Sequence, residues 1–186
     1  MDETKEVKER DLRYIPRMDA QDYIDKTREY LDYVEEHIEN VRLSFIELHD
    51  KCAGEVYIFY DDARYFALQS EVKQHDVSKL SAHELVQYRD KFYPVRMTSS
   101  IEELWQVADE FDKAWEHHKL RNTHHHESIK NDYDVIHMII DWMAMGRKFG
   151  DTARQYYERN KDKMDISDEH VKLMYQIFDC LDSDKT

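Results

Sequence analysis

The chain has 186 residues, a length that suits one domain with its own buried core. Its formal net charge is -14 with histidine neutral, so its field repels polyanions and argues against general nucleic-acid binding. Only three Gly and two Pro occur, which points to an all-α protein with short connections.

A small phosphorylated ligand stays compatible with this charge, because a bound cation and a few Arg or Lys reverse the local potential. Cys52 and Cys180 lack CxxC spacing and suggest reduced thiols in a cytoplasmic setting rather than a disulfide scaffold. The first eleven residues hold no apolar signal core, and no stretch is long and apolar enough to span a bilayer. No membrane role is therefore expected.

Residues 1–17 are charged and read as a loose N-terminal arm, leaving 18–186 as a single helical domain. From about 20 to 49, Tyr23, Tyr30, Val34, Ile38, Val41, Phe45 and Leu48 recur at helical spacing, with His37 at the edge of the stripe. A second helix is expected over about 55–73, rich in aromatics that suit either core or an interface; the oligomeric state is left open. His75-Asp76 follows in the adjoining turn. Ser81 and Glu84 fit a capping box opening a helix through Phe92, and Ser100 and Glu103 fit another, opening a helix through His118. Asn122-Thr123 is placed to break that helix. A further helix is expected over about 128–149, ended by Gly150, with Asp151 capping the next. Ser167 caps the last one, through Leu181.

Few features of this chain carry chemistry. His75-Asp76 can aim both side chains at one point if the backbone turns sharply there, and the two oxygens of Asp76 can bridge two ions. The bland alternative is a surface His beside a capping Asp. Between 117 and 126, five histidines fall in ten positions. His118, Asn122 and His125 share one helical face by spacing, and His117, Arg121 and His124 a neighbouring one. Asp141 sits among Ile, Trp and Met, where a carboxylate is costly unless it is paired or binds a cation. Asp134 and His137 share its face; a hydrogen bond to a Tyr hydroxyl or the Trp142 indole would also explain it. His83 and His49 carry no such signal, and Glu84 is accounted for by its capping box. Facing helices of a bundle are a usual place to build a metal site from such residues.

In this order the residues resemble the HD-domain metal-dependent phosphohydrolase superfamily. His-Asp-Val-Ser-Lys (75–79) is similar to its His-Asp-x-Gly-Lys signature, with Ser78 where Gly is usual. The resemblance implies an all-helical HD-type bundle with His37, His75, Asp76 and Asp141 as metal ligands. His118 with His124 or His125 would complete a binuclear site. The chain is also similar over about 30–160 to an uncharacterised bacterial and phage family, through Trp115-x-x-His118, Asn122-x-His124-His125 and Asp141-Trp142-x-Ala144-Met145.

What the resemblance implies is hydrolysis of a nucleotide or other small phosphate ester with one or two divalent transition-metal ions (Mn, Fe, Co, Ni or Zn). Asp76 would bridge them, while Lys79, Arg121 and Asn122 would orient the phosphate. Lys79 and Arg121 serve equally as solvated surface residues on sequence alone. The same ligand inventory would support an HD-type di-iron oxygenase, or a non-catalytic nucleotide- or protein-binding module of phage–host interaction.

Overall fold

The apolar stripe that begins near residue 20 becomes α1 (Asp19–Cys52) in a computed structural model that describes residues 19–95 and 100–183. The expected arm over 1–17 lies outside the described residues. Asp19 and Asp22 in the first turn, with His49 and Lys51 in the last, complement the helix dipole. Tyr30, Val34, His37, Val41, Phe45, Leu48 and Cys52 form its buried face. His37 is only 5% exposed, so it lies inside the stripe rather than at its edge.

The single helix expected over about 55–73 is two elements. A 3-10 turn at Tyr57–Phe59 precedes α2 (Asp62–Val72), because extended Asp61 accepts from the Arg64 amide and starts a new helix. Within the aromatic segment Phe59 is buried while Tyr60 and Phe66 are exposed. Another 3-10 turn, Val77–Leu80, leads to α3 (Leu85–Phe92). The expected Ser81–Glu84 capping box does not form: Glu84 is itself the N-cap residue, and its carboxylate is bonded elsewhere.

Ser100 caps α4 (Ile101–Arg121) by accepting from the Glu103 amide. Next comes α5 (Asp132–Phe149), which starts later than expected because Asn131 and Asp134 form its capping box. Asp134 also accepts from the Lys130 amide and the Thr123 hydroxyl, so its buried carboxylate is spent on shaping this turn. Thr152, not Asp151, caps α6 (Ala153–Asn160), and Ser167 caps α7 (Asp168–Asp182). The described residues contain no strand, so the protein is an all-α single domain.

Helix α5 is central. Val135 to Ile140 are buried without interruption, the pattern of a helix covered on all sides. Its main partner is α1, with α2, α6 and α7 closing the principal core. A second, smaller core joins Tyr30 and Val34 of α1 to Tyr88 of α3 and Ala114 of α4. His37 lies on α1 between Val34 of the small core and Val41 of the large one. The two cysteines, read from sequence as free thiols, are instead paired as a disulfide joining α1 to α7, with Cα atoms 5.9 Å apart. No helix among the described residues is long and apolar enough to cross a membrane.

Gly150 ends α5 with φ at +87°, a conformation that favours glycine. One turn earlier, a Cβ on Gly146 would lie 2.0 Å from the Asp151 carbonyl oxygen. Gly146→Ala should therefore cost about 2 kcal/mol or more, while Gly54→Ala, with open space around it, should change stability by less than about 1 kcal/mol. Thermal melts of the two variants check this.

Candidate metal centre

The cluster is assembled where α1, the 75–80 turn, α4 and α5 meet. Asp76 makes this possible. Its backbone is left-handed (φ 57°, ψ 12°), and it is the only non-glycine described with positive φ. Aspartate tolerates this conformation better than most side chains. The bend lets neighbouring residues 75 and 76 face the same interior point, where they are 3% and 1% exposed.

Two groups of donor atoms surround the Asp76 carboxylate. On its Oδ2 side, His37 Nε2 and His75 Nε2 lie 3.4 and 3.3 Å away. Those two nitrogens are 2.9 Å apart, and Asp141 Oδ1 is 3.1 and 3.5 Å from them. On its Oδ1 side lie His118 Nε2 at 3.3 Å and His124 Nε2 at 3.6 Å. His125 joins this second group: ligating atoms of His118, His124 and His125 all fall within 4.8 Å of one another.

These spacings suit shared cations. Two donors each about 2.1 Å from one ion sit about 3.0 Å apart at a right angle and about 3.4 Å apart at the tetrahedral angle. The first group spans 2.9 to 3.5 Å, close to that range. Asp76 Oδ1, His118 Nε2 and His125 Nε2 are buried with no hydrogen-bond partner, which a coordinated ion would explain. The buried His/Asp clusters can therefore hold a metal ion.

Second partners fix which ring nitrogen points inward. His75 Nδ1 lies 3.0 Å from His137 Nε2, and a proton held between them on Nδ1 would leave His75 Nε2 to ligate an ion beside Asp76. Burial above all pushes the His137 pKa well down, so it stays a neutral acceptor. His118 donates from Nδ1 to Glu84 Oε2 at 2.8 Å. That carboxylate also accepts from Ser78 Oγ at 2.9 Å and from His117 at 2.6 Å. Asn122 Nδ2 donates to Ser78 Oγ at 2.8 Å and to the His118 carbonyl at 2.9 Å. Ser78, standing where the signature has Gly, thus ties Glu84 to Asn122. Trp115 stacks on His118 and meets His125 edge-on.

The electrostatics favour positive charge in both halves. Burial opposes charge on His37, but hydrogen bonds to Asp141 and Asp76 outweigh it and raise its pKa to about 9. Burial also opposes charge on His118, but the nearby Asp76 and Glu84 carboxylates raise its pKa. Burial also opposes ionisation of Asp76 and Asp141. The fields of His75 and Lys79 hold Asp76 well below the usual range, and the His37 hydrogen bond and His75 lower Asp141. His124 and His125 are pushed down, chiefly by burial, and remain neutral donors.

The structure brings together His37, His75, Asp76, His118, His124, His125 and Asp141. Helix α4 stops at Arg121, so the helical faces read over 117–126 do not exist as such. His118 reaches the site from the helix, and His124 and His125 from the segment after it. Arg121 is exposed and does not line the cavity over the cluster, so it is not brought to the site. Asn122 is buried and holds His118 rather than facing that cavity. Lys79 does line it, with Nζ 2.5 Å from Asp76 Oδ2. His137 and Glu84 were not selected as site residues from sequence. His137 could have been found by its spacing of four from Asp141, whereas Glu84 was masked by its capping pattern.

Because a metal must displace the His37 proton, apparent affinity should rise with pH, about tenfold per unit toward about 9, for one proton displaced. Competition with a chromophoric chelator reads this. By the same assay Glu84→Gln, which removes the charge behind His118, should weaken binding about 10- to 100-fold.

No curated protein and no solved structure matches the chain. A model of a family of unknown function matches residues 26–183. That span holds every donor named above, from His37 to Asp141, and the chain belongs to this family (DUF5662).

Proposed function

We propose that the protein is an HD-type metal-dependent phosphohydrolase that cleaves a small phosphate ester in the cytoplasm. The observation that carries this reading is the division of labour at Asp76: each carboxylate oxygen faces its own set of imidazoles. That arrangement suits one or two divalent transition-metal ions, with Mn, Fe, Co, Ni and Zn all compatible with mixed His and carboxylate donors. Such ions polarise a phosphoryl oxygen and lower the pKa of water.

The chain's own residues do the rest. A cavity of about 480 Å³ opens onto the cluster, within the size range of small-molecule sites. Lys79 lies on its wall. Burial disfavours its charge, but the adjacent Asp76 carboxylate outweighs that and keeps it an ammonium. It offers positive charge where phosphoryl oxygens gain negative charge. His137 and Glu84 keep the ligating rings in one tautomer, so little reorganisation accompanies the reaction. In the reaction the P–O bond to the alcohol breaks, the water oxygen bonds to phosphorus, and a water proton goes to the leaving oxygen. The buried Cys52–Cys180 pair, 0% and 1% exposed, is shielded from cytoplasmic reductants.

Asp76→Asn keeps the shape and tolerates the left-handed backbone. Purified with Mn, Co, Ni or Mg and assayed on phosphate esters, the parent protein should turn over, and the variant should lose at least about 100-fold in kcat/KM together with bound metal. Equal metal content and activity in both would defeat the reading. Near-stoichiometric iron without ester cleavage would favour the oxygenase alternative.

A further inference from the structure

The cavity wall away from the metal donors is built by the end of α5 and by α6, and it differs in character from the donor side. Tyr156 is 37% exposed, and its ring centroid is 5.1 Å from that of Trp142. Phe149 and Met145 extend the same wall. Such a surface suits a flat ring, because aromatic faces stack on one another and on polarisable thioethers.

Charge on this wall is already matched. Among the described residues the Lys and Arg side chains lining the cavity are Lys79 and Arg159. Lys79 stands on the donor side, where one phosphoryl group takes it up, and Arg159 is held by both oxygens of Asp151, with Nη1 3.1 Å from Oδ1. Glu127 adds a further negative group. A second or third phosphate would extend along this wall without an unmatched cation to meet it, and beside carboxylates. The Arg159–Asp151 pair instead presents donors and an acceptor together, which suits hydroxyls or the neutral polar edge of a ring.

We propose that the cavity selects a phosphate monoester whose alcohol part carries a flat, uncharged ring, as in nucleoside monophosphates, and that Tyr156 is the selecting residue. This rests on the phosphate-ester reading above and narrows it to a single phosphate.

Two measurements test it. In the first, metal-loaded protein is assayed on a nucleoside mono-, di- and triphosphate and on glycerol phosphate. The monophosphate should exceed glycerol phosphate by about tenfold or more in kcat/KM, the scale of one lost stacking contact, and should also exceed the di- and triphosphate, whose further phosphates meet no unmatched cation. In the second, binding of the free nucleoside is followed by tryptophan fluorescence, since Trp115 and Trp142 both line the cavity. Tyr156→Ala should weaken that binding about tenfold, whereas Tyr156→Phe should retain it, with melting temperatures checking the fold. Turnover that favours the triphosphate, or nucleoside binding that Tyr156→Ala leaves intact, overturns this inference alone. Failure to cleave any ester overturns the hydrolase reading and this inference with it.

Discussion

A carboxylate 1% exposed to solvent organises this protein. An isolated ionised Asp76 would be strongly unfavourable at that depth, yet the groups around it hold it ionised. His37 comes from α1, His75 from its own turn, His118 from α4 and His124 from the segment beyond, so two helices and two connecting segments close on one negative charge. Lys79, three residues along, completes the enclosure. The left-handed backbone at 76 is the local strain that this convergence maintains.

The surrounding histidines are not interchangeable. His75 rests on a neutral histidine and His118 on a carboxylate, so the two halves of the cluster differ in how strongly their candidate donors are supported. A carboxylate behind an imidazole raises its basicity more than a neutral acceptor does. The half near His118 also holds more imidazole nitrogens, while the half near His37 holds a second carboxylate, Asp141. The two donor groups on either side of Asp76 thus differ in chemical character.

Helical periodicity made most of the architecture legible in the sequence. The α1 stripe and the Ser100 and Ser167 caps follow from local rules that the tertiary structure leaves intact. Where the reading failed, a local signal had been captured by the site. Glu84 has capping-box spacing from Ser81, yet bonding to His117 and His118 satisfies its charge in the interior. Asp151 looks like a cap but pairs with Arg159. The histidines after Arg121 fall outside any helix, so spacing along a helical face could not assign them. Residue identity made Asp76 and Asp141 stand out, because an acidic group in an apolar or turn setting is conspicuous. His137 was not conspicuous, since one histidine on a buried face resembles many others. The cysteine pairing was invisible because it depends on how α1 and α7 pack, 128 positions apart in sequence.

Helix α6 touches the chamber through Tyr156, Arg159 and Asn160 yet supplies none of the donors. It is tethered by the close passage of the 151 carbonyl over Gly146 and by its own Thr152 cap. In the proposed hydrolase, reactivity and admission would therefore be carried by separate stretches of the chain. On that reading, exchanges on one eight-residue segment would reshape which molecules enter while leaving every candidate donor in place.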